Sequence, residues 1–273
     1  MRTFSIAPQE MAASLWRNRG LVKALIQREI LGRYQGSVLG ILWSFFNPIL
    51  MLAVYTFVFS VIFKARWGTG GTESKAEFAL ILFAGLLLFN LFAECVTRAP
   101  GLILGNTSYV KRVVFPLEIL PWVSFGAALF HVCVNLVVWL LFYLFILGLP
   151  KATVVLLPLA LIPLMLQVMG VSWFLASLGV YLRDVSHVVG ILVSTLMFLT
   201  PIFYPASAIP AAYQQLLYLN PLTFIVELAR DLLIFGRWLD WGSFGLVTVG
   251  SAVVAWAGFA WFQKTRKGFA DVL

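Results

Sequence analysis

Long uncharged runs divide this chain, and short charged segments separate them. Between Arg33 and Lys64 lie 30 residues without a single Asp, Glu, Lys or Arg. Phe78 to Ala93 gives 16, extending to about Val96 if Glu94 is tolerated; Ile119 to Pro150 gives 32 and Ala152 to Leu182 gives 31. Val185 to Val226 gives 42, and Trp241 to Gln263 gives 23. A helix crossing a bilayer needs about 20 mostly apolar residues, so each run is read as spanning material.

The run of 42 does not fit whole spans. Pro201, Pro205, Pro210 and Pro221 interrupt it, and each removes a backbone donor and disfavours helix in the residue before it. The pattern predicts one span over about His187 to Phe203, then short re-entrant helices over 204–236 on the outer side. Broken backbone at membrane depth is tolerated where it is buried in protein or faces water. The expected fold is an all-α integral membrane domain over 1–273, with six transmembrane helices.

Basic residues set the expected orientation. With six spans, thirteen of the 19 Lys and Arg fall on the side of the termini and six on the other, which places both termini in the cytoplasm. Composition agrees: 62% of the 273 residues are hydrophobic and 11% charged, against about 25% charged in soluble domains. The net charge of +8 does not indicate nucleic acid, because the basic residues flank apolar runs rather than sharing one polar face. No secretory signal is expected in the first 33 residues, which lack an apolar core followed by a small-residue cleavage site. Cys95 and Cys133 form neither a disulfide framework nor a metal motif.

Outside the spans, residues 14–35 carry Val22, Leu25, Ile26 and Ile30 at helical spacing opposite Arg19, Lys23 and Gln27. That pattern predicts an amphipathic helix on the cytoplasmic interface, either a plain anchor or an element that moves with a gate. In 105–116, Asn106, Thr107 or Ser108 is a candidate cap for a short helix presenting Tyr109, Lys111, Arg112 and Phe115. An exposed aromatic and basic helix suits docking into a soluble partner; a simple basic loop is the alternative. Arg183-Asp184 predicts a tight turn with a local ion pair. Glu227 is spaced to reach Arg230 or Asp231 on one helical face.

Catalytic motifs are missing. No G-x-x-x-x-G-K-[ST] occurs, so nucleotide is not bound through a P-loop here, and no H-E-x-x-H or paired-cysteine motif is present. Glu94 is the one acidic residue well inside an apparent span, and an i,i+4 pair with Arg98 is its simplest account. His131, with Asn135 one turn on, suggests a hydrogen bond between packed helices. A proton-driven carrier lacks its central relay and its repeat halves. A membrane-bound transferase lacks a charged cluster on the donor side. Aromatics make up 15% of the chain and run through the spans. They are read as packing or interfacial rings, or as stacking surfaces if they face a pore.

Three motif groups carry a resemblance. Near the amino end stand Arg28-Glu29-Ile30, Arg33-Tyr34, Leu39-Gly40-Ile-Leu-Trp43 and Asn47-Pro48. In the middle stands the run from Tyr109 to Pro121. Late in the chain come Pro201-Ile-Phe-Tyr-Pro205, Ile209-Pro210 and Asn220-Pro221. From about residue 20 onward the chain resembles the permease subunit of a type-2 ABC exporter, in the branch that exports O-antigen, teichoic acid or capsule polysaccharide.

The resemblance implies a homodimer with two ABC ATPase subunits below it in the bacterial inner membrane. ATP and Mg are then bound by the partner ATPase, with no cofactor in this chain, which is a transport subunit and not an enzyme. It implies a polysaccharide on polyprenyl diphosphate as substrate, and no nucleic acid partner. It assigns ATPase coupling to Tyr109, Lys111, Arg112 and Phe115. It assigns the pathway to spans one and five, hence to the rings of Tyr55, Phe59, Phe198 and Tyr204. Arg28 and Arg33 become candidates for the cytoplasmic gate and the lipid diphosphate, since arginine suits phosphate; anchoring to anionic lipid is their plain alternative. A type-2 permease for a small lipophilic drug or lipid is the competing expectation.

Overall fold

The computed structural model describes residues 5–37, 39–62, 67, 75–110 and 115–273, and among them it is built from helices and turns. Two short helices open the chain, α1 (Pro8–Arg17) and α2 (Arg19–Tyr34). The single helix expected over 14–35 is therefore broken at Asn18, whose side chain turns back to donate to the Ser14 carbonyl at 2.8 Å. A side chain competing for a backbone acceptor in this way is the usual reason asparagine interrupts a helix. Val22 and Leu25 are buried with Ile119 and Val123, while Arg19, Lys23 and Gln27 are exposed.

Among the described residues, five stretches are long and apolar enough to cross a membrane: Gly40–Val58, Ala76–Gly101, Leu117–Ile146, Ala152–Tyr181 and Trp241–Val272. Their main helices are α3 (Trp43–Tyr55), α4 (Lys75–Arg98), α6 (Leu120–Ile146), α7 (Leu157–Tyr181) and α11 (Trp241–Thr265). Between α4 and α6 lies a single turn, α5 (Thr107–Val110). After α7 come α8 (Val185–Leu199), α9 (Ala211–Leu219) and α10 (Pro221–Arg230), and α12 (Phe269–Val272) closes the chain. At about 1.5 Å per residue, the 15 residues of α8 fall short of a hydrocarbon core of about 30 Å.

α4 is the centre of the bundle. Of its most apolar stretch 83% is buried, against 11% for that of α3. α6, α7, α8 and α10 all pack on it. Within the core, tryptophan N–H groups find backbone acceptors: Trp139 donates to Leu80 at 3.1 Å and Trp173 to Glu118 at 3.0 Å, as buried indoles require.

Missing side chains let helices touch backbone to backbone. A Cβ on Gly258 of α11 would lie 2.0 Å from the Gly170 carbonyl oxygen on α7. Close approach of small residues is the ordinary way helices associate in lipid. Gln167 adds a hydrogen bond across the same seam, to Ser251 at 3.0 Å. α2 reaches α6 similarly, with Ile26 lying over Gly126.

Polar caps mark the helix starts at the end remote from the termini. Asn220 accepts from the Leu222 N–H at 3.0 Å, and Asp240 accepts from Gly242 and Ser243, each at 3.2 Å. Such caps satisfy N–H groups that the first helical turn leaves without partners. The hydrogen bonds to the Ser243 side chain, then to the Ser243 and Gly242 backbone, hold the Asp240 carboxyl below the ordinary carboxylate range.

Candidate functional site

An ionic hub ties α2 to the bundle. Arg33, in the last turn of α2, donates to Glu94 Oε1 on α4 at 2.6 Å. The other oxygen of Glu94 lies 3.0 Å from His131 Nδ1 on α6. Arg33 Nη1 also lies 3.1 Å from that ring nitrogen, and the Tyr34 hydroxyl is 3.1 Å from His131 Nε2. One carboxylate thus joins three helices.

Arg98 was expected to be the partner of Glu94. It lies 3.8 Å away across one turn, but its closer ion pair is to Glu29 of α2. The local i,i+4 pair is therefore made, but Glu94 has closer partners in Arg33 and His131, because a carboxylate accepts several donors at once and α2 brings a second arginine within reach. His131 bonds across packed helices as its span position suggested, with its partners on α2 and α4 rather than one turn along α6.

Arg28 lies on α2 as well, but its partner is neutral. It donates to the Tyr109 hydroxyl at 2.9 Å. Tyr109 stacks on Phe115 with centroids 4.2 Å apart and planes 11° from parallel. Two of the four residues assigned to coupling are thus joined to one of the two assigned to the gate. Lys111 and Arg112 lie outside the described residues. The short helix spans only four residues before them. Asn106 does not cap it: its side chain donates back to the Leu102 carbonyl at 2.9 Å.

The other end of this segment is fastened from the carboxyl terminus. Arg266 donates to the Glu118 carboxylate at 2.6 Å and to the Phe115 carbonyl at 2.9 Å, and Ser14 of α1 donates to Glu118 at 2.9 Å. This buried knot was not anticipated. Its members are 104 and 148 residues apart, so no spacing rule signals it.

Three of the four expected pathway residues gather around a fifth. Phe203 lies 6.4 Å from the Tyr55 ring and 5.7 Å from the Phe198 ring. The Tyr204 hydroxyl donates to the Phe198 carbonyl at 2.8 Å. The backbone of Phe59 belongs to a π-helical turn over Thr56–Ile62 that follows α3; its side chain lies outside the described set. The organising ring, Phe203, sits inside the proline-bounded motif 201–205, and that motif was its only sequence signal.

Beside α9 and α10, the predicted Glu227–Arg230 pair is replaced. Arg230 is 2% exposed, and its N–H groups point at backbone carbonyls: Ile81 at 3.2 Å, Ile202 at 2.6 Å, and Pro201. Its guanidinium also lies 4.2 Å from the centre of the Trp67 ring. Proline at 201 and the bend after α8 leave carbonyls without helical donors, and arginine supplies them. Asp231 pairs instead with Arg237 at 3.4 Å. Arg183 and Asp184 form the expected turn before α8, but among the described residues no ion pair joins them. Among the described residues no group of three or more His, Cys, Asp or Glu side chains is placed to hold a metal.

The comparison with known sequences decides the family. Residues 20–234 match the ABC-2 type transporter family. The chain belongs to that family. This ABC-2 member is similar to the O-antigen export system permease protein RfbA of Myxococcus xanthus, at 28% identity over 96% of this chain and 98% of the relative. RfbA of Klebsiella pneumoniae is 24% identical over 93% of this chain and 95% of its own length. The polysialic acid transport protein KpsM of Escherichia coli is 26% identical over 90% and 93%. The match therefore falls in the O-antigen and capsule export branch, and its relatives are transporter permease subunits.

Proposed function

We propose that this chain is the membrane subunit of an ATP-driven exporter that moves a polysaccharide linked to polyprenyl diphosphate across the bacterial inner membrane. The observation that carries the reading is near end-to-end similarity to O-antigen export permeases, with 96% of this chain covered. Energy comes from two ATPase subunits that bind ATP and Mg, docked against Tyr109, Lys111, Arg112 and Phe115.

The topology we favour has six passes with both termini cytoplasmic. The short α8 and the bend at Pro201 together serve as the fifth pass, and 204–236 turns back on the outer side. Residues 14–35 lie on the cytoplasmic interface, and 105–116 form the coupling segment. Two copies form the conduit. The exposed apolar side chains of Leu42, Trp43, Phe46, Leu50 and Phe57 around α3, and of Ile191 and Phe198 on α8, favour this, since such faces must meet lipid, a second subunit or a pathway.

Arg28 is the better candidate for the lipid diphosphate. Arg33 spends its charge on Glu94 at 2.6 Å, whereas among the described residues Arg28 meets the neutral Tyr109, at its hydroxyl and its ring. In the ring cluster, Tyr55, Phe198 and Tyr204, joined by Phe203, would offer an uncharged sliding surface.

Deletion of the gene, followed by fractionation of lipid-linked glycan, tests this reading. Loss of surface polysaccharide with polyprenyl-linked polymer trapped inside is expected. Normal surface glycan would overturn it and favour a small lipophilic substrate. Ring substitutions at Tyr55 and Phe198 then test the pathway.

A further inference from the structure

Above the ionic hub, toward the middle of the bundle, a cavity of about 830 Å³ opens between α2, α3, α4 and α6. Glu94, His131, Arg33 and Arg98 line its cytoplasmic end. Three amides stand in the rest of its wall, one from each spanning helix, Asn47 on α3, Asn90 on α4 and Asn135 on α6, among Trp43, Pro48 and Met51. Asn90 and Asn135 stand one helical turn beyond Glu94 and His131, so the amides form a layer over the hub.

The layer is out of place in lipid. From Phe78 to Val96, Asn90 is the one exposed residue on a helix that is buried apart from the half-buried Ala93 and Glu94. Among the described residues none of the three amides has a hydrogen-bond partner. Polar groups at membrane depth are costly unless they meet a partner or a water-filled space. Each asparagine brings two donors and an acceptor oxygen, so three around one space match a ligand dense in hydroxyl groups. The charges below are already compensated, Arg33 by Glu94 and Arg98 by Glu29, which disfavours an anion in this space. The volume lies within the usual range for small-molecule sites, about 300–1,000 Å³.

We propose that the cavity walled by Asn47, Asn90 and Asn135 is a binding site for a neutral sugar residue of the lipid-linked substrate, held by amide–hydroxyl hydrogen bonds. This deepens the export reading and rests on it. The diphosphate stays outside, on the Arg28 side, and the first sugar enters the amide layer.

The test uses full-length protein in lipid nanodiscs and two probes: a short polyprenyl diphosphate carrying one N-acetylhexosamine, and the same lipid diphosphate without sugar. Wild type is expected to bind the sugar-bearing probe more tightly. Asn90→Leu and, separately, Asn135→Leu should each shrink that preference about threefold to tenfold, as one lost hydrogen bond implies, with the sugarless probe unaffected. Leucine is favoured at membrane depth, and Asn90→Gln, which keeps the amide, should retain more of the preference than Asn90→Leu. A preference that survives both leucine variants overturns the assignment and leaves export standing. Equal binding of the two probes by wild type also overturns it, while the deletion phenotype judges export separately. Wild type that binds neither probe, in a strain whose deletion leaves surface glycan normal, removes both readings.

Discussion

Gly258→Ala is the sharpest structural test. The added Cβ would sit 2.0 Å from the Gly170 carbonyl oxygen, where real contacts of this kind stay beyond 3.0 Å. The obstacle is backbone, so rotamer changes give no relief and α7 and α11 must part by at least about 1 Å. A gap of that size forfeits roughly a quarter to a half of the dispersion energy along the seam. It also stretches the 3.0 Å bond between Gln167 and Ser251 toward breaking, at about 1 kcal/mol. With about 1–3 kcal/mol for overpacking, the expected loss is roughly 2–4 kcal/mol. Thermal denaturation of detergent-purified protein reads it, with Gly250→Ala as control on the same helix, where an added Cβ meets nothing within 4 Å. If the two variants melt together, the backbone-to-backbone account of this interface is wrong.

Further outcomes follow from the site. Glu94→Gln should free the end of α2, since Arg33 and His131 lose their shared carboxylate; limited proteolysis within 19–37 should accelerate while the bundle stays folded. Arg230→Met should fail to accumulate in membranes, because the Pro201 and Ile202 carbonyls, which lie outside a helix, lose their donors at about 1–3 kcal/mol for each group left unsatisfied; immunoblotting of membrane fractions reads this. Arg266→Ala should loosen the Phe115 end of the coupling segment and lower stimulation of the partner ATPase more than the amount of complex, measured as turnover per assembled complex. For Asp240, the folded carboxyl titrates below its unfolded value, so its contribution is present above about pH 4 and is lost as pH falls through the folded value. Asp240→Ala should therefore be less heat-stable than wild type at pH 7, with the difference shrinking as the pH falls below the ordinary carboxylate range.

What the sequence determined by itself is the solvent and the scale. Uncharged runs of 30, 32 and 31 residues have no soluble explanation, because burying such lengths needs lipid on the outside. The motif order from Arg28 to Asn220 was enough to reach the family, because turns at proline and glycine are local. The break at Asn18 was not legible, since whether an asparagine side chain turns back on its helix depends on the helix packed beside it. The length of α8 was also hidden, because the hydrophobic run continues through Pro201 while the helix does not.

Tertiary structure alone decided the partners of the charges. Arg28 and Arg33 look equivalent in sequence, yet one meets Tyr109 and the other Glu94, because α2 lies across α6 where Gly126 admits Ile26. Arg230 looked like half of an ion pair and is instead the donor for a broken backbone. The three asparagines are separated by 43 and 45 residues of sequence and meet only because α4 is central and α3 and α6 flank it. Periodicity reports which face of a helix is apolar; which neighbour that face meets is set by packing over distances no local pattern encodes.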